Sequence, residues 1–386
     1  MGQDFFINLP SELTTNILSR LPLRSIALIK CVCKPWLNLL QSDNFAKSKI
    51  KTPPALVRLV PVTNSIRCTI FEFEDEDEAD AESHALHFHP LRDFEIPHGN
   101  GNSESICRAQ QTNGLLLVYS SSERRIHICN PITREYIELC CPEQYISLQF
   151  VSFGFGVGKI TGQYKVVCFN EDAGSDSYHV YTLGTGTWRR VEPGAASGCT
   201  FCFHAYTVCN GNPHWTVYDS AQIFWICAFD LETECFSIFS APAVDGLAGD
   251  GLAIDVKLNV LRDCLCLSYT LDDKVVIWLM KEYRVEESWT MEYQISIDFN
   301  FDYGFDISFD FWNLINIYPI KVFQNGDVLM FMEEKCLIYY SNKTRTIRHA
   351  GMLADGTTVD DIASAMIYTP SLFSLKNFAV ERVISF

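Results

Sequence analysis

The second and larger part of the chain repeats itself, and that repeat constrains the fold more than any other feature. Each unit holds an Asn-Gly or similar turn, a strand-like run, a second such run, and a polar turn carrying Thr or Ser. One unit runs from Asn113-Gly114 to Thr133 and the next from Tyr164-Lys165-Val166-Val167 to Thr187. A third spans Asn210-Gly211 to Thr233, a fourth Cys264-Leu265-Cys266-Leu267 to Ser288, and a fifth Asn325-Gly326 to Thr344. Thr133, Thr187, Thr233, Ser288 and Thr344 lie 54, 46, 55 and 56 residues apart, close to the blade length of kelch-like propellers. The runs between the turns, such as Leu115 to Tyr119 and Val275 to Trp278, are rich in β-branched and aromatic residues. One four-stranded sheet of this kind cannot cover both its faces. Stacking such sheets around a ring buries them and leaves only short, protected edges. Residues 55 to 105 supply a further, weaker unit, which makes about six. A C-terminal strand near Tyr368 to Leu375 then closes the ring on an N-terminal one. The alternative arrangement of the same strands is a pair of β-sandwiches.

The first fifty residues have a different texture. Apolar residues at positions 9, 13, 17, 18 and 21 follow one face of a helix, with Ser11 placed to cap it. A second helical run covers Arg24 to Cys31. A third opens at Lys34-Pro35-Trp36, where Pro35 sits at the first helical position and forgoes no needed N–H bond. So short a helical stretch cannot bury all of this apolar surface by itself, so some of it belongs to a partner. The alternative is a small three-helix cap on the domain that follows.

Leu9-Pro10-Ser11-Glu12-Leu13, Ile17-Leu18, Leu21-Pro22, Cys31-Val32-Cys33-Lys34-Pro35-Trp36, Leu39-Leu40 and Phe45 together resemble the F-box. Pro35 departs from the common pattern, where a small or basic residue often stands. The resemblance covers residues 7 to 48 and implies docking on a Skp-type adaptor, and through it on the cullin and RING subunits of an SCF-type ubiquitin ligase. The side chains it assigns to the adaptor are Leu9, Pro10, Leu13, Leu18, Leu21, Pro22, Val32, Trp36 and Leu39. Residues 106 to 345 resemble the F-box-associated domain of plant F-box proteins. The motifs are Asn113-Gly114-Leu115-Leu116 with Asn130-Pro131-Ile132-Thr133, Gly154-Phe155-Gly156 with Tyr164 to Val167, Val180 to Arg189, Phe229 to Phe236, and Val275 to Trp289. This second resemblance implies a protein-interaction domain that selects a target. The organisation expected is therefore a small all-α F-box over residues 1–50 and an all-β, kelch-like propeller over residues 51–386.

Composition narrows the function further. Lys+Arg 30 against Asp+Glu 47 gives a net charge of −17, which argues against a broad footprint on nucleic-acid phosphates or anionic lipid and favours a basic target surface. The acidic stretch Glu72 to Glu82 reads as a solvated loop. The first residues are not a signal peptide, and no apolar run is long enough to cross a bilayer. The 16 cysteines are therefore expected to be reduced core residues of a cytoplasmic or nuclear protein.

Three groups of residues look like chemistry. Gly154-Phe155-Gly156-Val157-Gly158-Lys159 suggests phosphate binding but fails the P-loop spacing, since Phe153 stands where the first glycine belongs and Ile160 follows the lysine. Cys199, Cys202, Cys209 and His214 are zinc-ligand types, yet strand alternation sends Cys199 and Cys202 to opposite faces. His84, His87 and His89 have no fixed acidic or thiol partner beside them. No nucleophile elbow, zinc-protease helix or kinase set occurs, so neither cofactor, metal nor catalytic residue is expected.

The leading reading is a non-catalytic substrate receptor. A scaffold or competitor that docks on the adaptor without delivering a target, or a propeller enzyme with a helical cap, are the alternatives. For the target, the loop from Asp298 to Asp310 alternates Phe301, Tyr303 and Phe305 with acids. Those aromatics either anchor a partner or pack inward as a strand pair.

Overall fold

The computed structural model describes residues 9–21, 25–26, 29, 32–40, 45, 54–62, 65–73, 88–97, 107–120, 125–142, 151–170, 177–243, 256–271, 273–297, 317–332, 336–350, 364–378 and 380–385. Its helices come first: α1 (Ser11–Leu18) and α2 (Lys34–Leu40). Most of the expected second helix, Arg24 to Cys31, lies outside the described residues. Pro10 rather than Ser11 occupies the N-cap of α1, and no side chain caps it. Ser11 is instead the first helical residue, and Glu12 in the first turn complements the helix dipole.

Every later element is strand or short 3-10 turn, and the strands form six sheets. Blade 1 holds β1 (Ala55–Val62), β2 (Ser65–Phe73) and β3 (Phe88–Pro97). Blade 2 holds β4 (Cys107–Thr112), β5 (Leu115–Ser120), β6 (Arg125–Asn130) and β7 (Glu135–Cys140). Blade 3 is β8 (Val151–Val157), β9 (Tyr164–Asn170), β10 (Tyr178–Thr182) and β11 (Trp188–Val191). Blade 4 is β12 (Thr200–Cys209), β13 (Asn212–Tyr218), β14 (Phe224–Asp230) and β15 (Cys235–Ser240). Blade 5 is β16 (Val256–Leu261), β17 (Cys264–Leu271), β18 (Lys274–Met280) and β19 (Trp289–Ser296). Blade 6 is β20 (Ile317–Val322), β21 (Val328–Met332), β22 (Cys336–Ser341) and β23 (Thr346–His349).

Two C-terminal strands return to the start of the ring. β24 (Ser364–Tyr368) pairs antiparallel with β1, Tyr368 opposite Ala55, and becomes the innermost strand of blade 1. β25 (Val383–Ser385) adds a fifth strand outside β7 of blade 2. The inner strands β24, β4, β8, β12, β16 and β20 adjoin one another in a closed circle. This is a six-bladed β-propeller closed from the C-terminal side, but the closing strand is Ser364–Tyr368 and ends where the expected one, Tyr368 to Leu375, begins; the residues after Tyr368 pass into a 3-10 turn at Leu375–Asn377.

The core is distributed accordingly. An apolar cluster fills each junction between consecutive blades. Leu117, Ile128, Phe153 and Val166 pack between blades 2 and 3, and Phe169, Phe201, Trp215 and Phe229 between blades 3 and 4. Polar contacts cross the same seams. Lys165 on β9 is 4% exposed; its ammonium donates to the Leu231 carbonyl at 2.6 Å and to Glu234 Oε1 at 2.8 Å, in the last turn of blade 4. Arg189 on β11 pairs with the same carboxylate. Burial alone would raise the Glu234 pKa, but hydrogen bonds from Arg189 and Lys165 outweigh it and hold the acid below its ordinary range.

A group whose folded pKa is depressed contributes stability above its unfolded pKa and loses it as pH falls through the folded one. Glu234→Gln leaves the buried Lys165 charge without its anion and is expected to cost about 2–4 kcal/mol at pH 7. Denaturant titrations of the two proteins should converge as the pH is lowered into the carboxylate range. Equal stability at pH 7, or a gap that persists in acid, would show that this ion pair does not join the blades.

The repeated Thr and Ser positions have two structural roles, and these alternate around the ring. In blades 2, 4 and 6 they sit in a turn whose next residue takes a left-handed backbone: Arg134 (φ 61°), Glu234 (φ 57°) and Arg345 (φ 58°). In blades 2 and 4 a side-chain oxygen four residues before the left-handed one holds that turn. Asn130 Oδ1 accepts from the Ile132 and Thr133 N–H groups, and Asp230 Oδ1 from those of Glu232 and Thr233. In blades 3 and 5, Thr187 and Ser288 instead precede Trp188 and Trp289. Those indoles donate to the carbonyls of Cys140 at 2.8 Å and Ser240 at 3.1 Å, latching each blade to the one before it.

Candidate protein-interaction surfaces

The strand order separates two rims. In each blade the first strand turns into the second, and the third into the fourth, at one rim; the second-to-third turns and the connections between blades lie at the other. Because Ala55 starts β1 beside the end of β24, the helical module enters at the first rim. Its buried side chains Leu18, Ile26, Leu40 and Phe45 belong to one apolar cluster with Val57 and Leu59 of blade 1, Leu116 and Ile132 of blade 2, and Tyr368 and Leu372 of the tail. The propeller thus covers one face of the module.

Among the described residues the opposite face is left uncovered. Leu13 is 52% exposed, Ile17 51% and Val32 64%, while Thr14 and Leu18 on the neighbouring stripe of α1 are buried. Leu13 and Ile17 are one helical turn apart, so they form a continuous apolar ridge. Of the residues that the F-box resemblance assigns to an adaptor, Pro10, Leu13 and Val32 are exposed and Leu9, Leu21, Trp36 and Leu39 half-buried. Leu18 is 2% exposed and packs inside the chain, because the propeller occupies that side of the helix. Leu21, Trp36 and Leu39 lean on the same cluster. Pro22 lies outside the described residues. Ile17 is not among the side chains the resemblance assigns, although its spacing four residues from Leu13 carries the signal.

At the far rim lie the strand ends that flank most of the long polar interruptions. β9 and β10 flank Asn170 to Tyr178, β11 and β12 flank Glu192 to Gly198, β15 and β16 flank Val244 to Gly251, and β19 and β20 flank Asp298 to Asp310. Only Phe73 to Ser83, between β2 and β3, opens on the rim that carries the helices. Phe301, Tyr303 and Phe305 lie outside the described residues.

The glycine run, the cysteines and His214 serve packing between blades. The glycines of Gly154 to Gly158 line β8 and its turn where blade 4 comes closest. A Cβ at Gly154 would stand 2.6 Å from the Trp215 ring, and one at Gly156 would collide with the Gly211 carbonyl and Leu231. Lys159 reaches Asn210 Oδ1 at 3.0 Å. Cys199, just ahead of β12, packs against the cluster between blades 3 and 4, whereas Cys202 and Cys209 on β12 pack at that between blades 4 and 5, so they lie apart, although Cys199 is not itself in the strand. His214 is fully buried, with Nδ1 on the Asn212 carbonyl and Nε2 on the Tyr283 hydroxyl, both at 2.9 Å. The carbonyl must accept, so Nδ1 carries the proton and Nε2 accepts from Tyr283. Burial, with Arg284 nearby, lowers its pKa to about 3 and keeps the ring neutral. Among the described residues no three His, Cys, Asp or Glu side chains are grouped to hold a metal ion, and no helix is long and apolar enough to cross a membrane. His84 and His87, and the side chain of His89, lie outside the described residues.

The described residues thus form a ring with the interblade connections at one rim and an exposed apolar ridge on a helical module at the other. Comparison with known families makes this particular. Residues 68–375 match the F-box associated beta propeller domain and residues 6–48 the F-box domain, and the chain belongs to this family of F-box proteins. Among curated proteins of Arabidopsis thaliana, the F-box protein CPR1 is 26% identical over 75% of this chain and 73% of its own length. The F-box protein At3g07870 is 26% identical over 87% of this chain and 85% of its own.

Proposed function

We propose that this protein is a substrate receptor of an SCF-type ubiquitin ligase, working in the cytoplasm or nucleus. Its F-box docks on a Skp-type adaptor, which connects it to cullin and RING subunits, and its propeller holds a protein target. The observation that carries this reading is the apolar ridge of Leu13 and Ile17, with Val32 exposed elsewhere on the same module. It lies on an F-box whose other face is already used by the propeller, so the ridge faces outward and unsatisfied. The receptor itself promotes no chemistry. It raises the effective concentration of target lysines at the charged ubiquitin-conjugating enzyme. The far rim, turned away from the helices, is the side on which a target can be held without meeting the adaptor.

Reconstitution tests the proposal: the full chain is co-expressed with a Skp-type adaptor, assembled with cullin and RING subunits, and assayed for ubiquitin transfer to proteins it retains. Replacing Phe301, Tyr303 and Phe305 together by Ser should abolish target capture, leave adaptor binding intact and barely move Tm. A large fall in Tm would assign these aromatics to the core. Adaptor binding with no ubiquitin transfer to any retained protein would favour the scaffold or competitor reading.

A further inference from the structure

Blade 4 leaves an apolar stripe open at the far rim. The turn from β13 to β14, Asp219 to Ile223, is built around one carboxylate. Asp219 Oδ1 accepts from the Ala221 and Ile223 N–H groups, both at 2.9 Å, and Oδ2 accepts from the Trp225 indole at 3.0 Å. The Asp219 N–H donates to the Ile223 carbonyl at 3.1 Å, which carries the strand ladder one step past the pair of Tyr218 and Phe224. Strand alternation then puts Ile223 on the same face as Trp225 and Cys227, and Ile238, the cross-strand partner of Cys227, joins them. That face is turned to blade 3, since Cys227 and Phe236 lie in the cluster between the two blades.

Blade 3 covers only part of this face. Its outermost strand, β11, has 4 residues, and the chain after it turns at Gly194–Ala196 against β15 and buries Ala196 there. Ile223 stays 48% exposed and Ile238 37%, and Trp225 is half-buried on the same face. The indole is held by Asp219 and the turn by three hydrogen bonds, so this apolar surface is preorganised, as an interface anchor must be.

The charge around the stripe selects its occupant. The strand ends of blades 3 and 4 at this rim are joined by residues 171–177, 192–199, 219–223 and 241–255, which hold eight Asp or Glu and no Lys or Arg. At the helical rim the turns of the same two blades carry Lys159, Glu232 and Glu234. Both of those glutamates are engaged within the protein, by the Ile160 and Thr161 N–H groups and by Lys165 and Arg189. The negative charge of these blades therefore gathers where the apolar stripe opens. A second copy of the chain would bring like charge against like, and nucleic acid or anionic lipid would be repelled. We propose that the stripe docks the target through a segment in which a large apolar side chain is flanked by lysines or arginines. The apolar side chain packs on Ile223, Trp225 and Ile238, and its basic neighbours are drawn to the surrounding carboxylates. This rests on the reading of the chain as a target receptor and names the chemistry of the target at the far rim.

The test uses the full chain with its adaptor and fluorescent glycine–serine peptides, read by polarisation. One peptide has a central leucine with lysines on both sides; the others replace the leucine by serine, the lysines by serine, or the lysines by glutamate. The leucine–lysine peptide should bind about tenfold or more tightly than the other three, and should weaken as salt is raised. Ile223→Ser with Ile238→Ser leaves every charge in place. It should weaken that peptide about tenfold or more with little change in Tm, since both side chains are more than a third exposed. Ile223→Ser alone, outside the strand, should weaken it about threefold, which keeps the comparison available if the double variant does not fold. Four peptides that bind alike, binding set by the lysines alone, or a Kd that neither variant alters overturns the proposal. So does a dimer of the full chain that Ile223→Ser dissociates in light scattering, because the stripe would then belong to a second copy. Adaptor co-purification, measured on the same samples, tests the receptor reading separately. A protein that takes the leucine–lysine peptide but no adaptor keeps the docking stripe and loses that reading; one that takes adaptor but shows no peptide preference loses the stripe and keeps the reading.

Discussion

A chain ending at Ala350 loses the cooperative unfolding transition of the full protein and collects in the insoluble fraction. The missing tail supplies the innermost strand of blade 1, so its removal bares the edge of β1 and the apolar side chains Leu56, Val57 and Leu59, all of them fully buried in the intact ring. It also removes Tyr368, Leu372 and Leu375, which are at most 5% exposed. At roughly 1.5–3 kcal/mol for each large apolar side chain taken from its burial, these three alone reach the scale of a whole domain's stability of about 5–15 kcal/mol.

Hydrogen bonds across the closure are lost as well. The Tyr368 hydroxyl donates to the Gly114 carbonyl, the Asn130 amide to the carbonyls of Ser371 and Phe373, and the Leu375 N–H to the Glu135 carboxylate. A chain ending at Phe378 keeps all of these and loses β25 and the Glu381 carboxylate that accepts from the Tyr181 hydroxyl and the Gly184 N–H, so it should remain soluble with Tm lowered by a few degrees. Circular dichroism melts of the three proteins decide the matter. If the chain ending at Ala350 melts like the full one, the ring is not closed from this end.

The blade pattern was legible because each unit repeats a physical requirement: an apolar strand pair that must be covered, then a turn that must reverse the chain. The need for a closing C-terminal strand was legible for the same reason, since an open ring leaves an unpaired edge, but its bounds were not: the strand is Ser364–Tyr368 and not Tyr368 to Leu375. The two roles of the repeated Thr and Ser positions could not be separated. In one the deciding group is an Asn or Asp side chain four residues ahead of a left-handed Arg or Glu, and in the other it is an indole reaching a carbonyl of the preceding blade. The Asn or Asp and the Trp stand at fixed local positions, but the carbonyl that each indole reaches belongs to another blade and is not given by spacing. The glycines of β8 read as a possible phosphate loop because sequence shows their freedom and hides the Trp215 ring that demands it. Likewise the helical pattern identifies which F-box residues are apolar, but not that the propeller claims Leu18 and leaves Leu13.

That division of the F-box into two apolar sides sets the second large effect. Replacing Leu13 and Ile17 together by Asp, or Val32 by Asp, is expected to abolish co-purification of the Skp-type adaptor while Tm stays within a few degrees of the parent. These side chains are more than half exposed, so the fold loses little by the exchange. Apolar anchors at the centre of an interface are worth about 2–4 kcal/mol each, roughly 30- to 1000-fold in affinity, and two buried carboxylates would add a desolvation cost. Leu18→Ala and Trp36→Ala should behave oppositely. Leu18 sits inside the cluster shared with blades 1 and 2 and Trp36 packs against it, so their loss lowers Tm, the buried leucine costing about 2–5 kcal/mol of stability. Adaptor binding would then fall only as far as the module unfolds, and would recover on cooling. Two outcomes defeat the assignment: an undiminished yield of adaptor with the Leu13/Ile17 double variant, or a Tm that falls as far for that variant as for Leu18→Ala. The first would move the docking surface off α1, and the second would mean that the ridge is covered from within the chain.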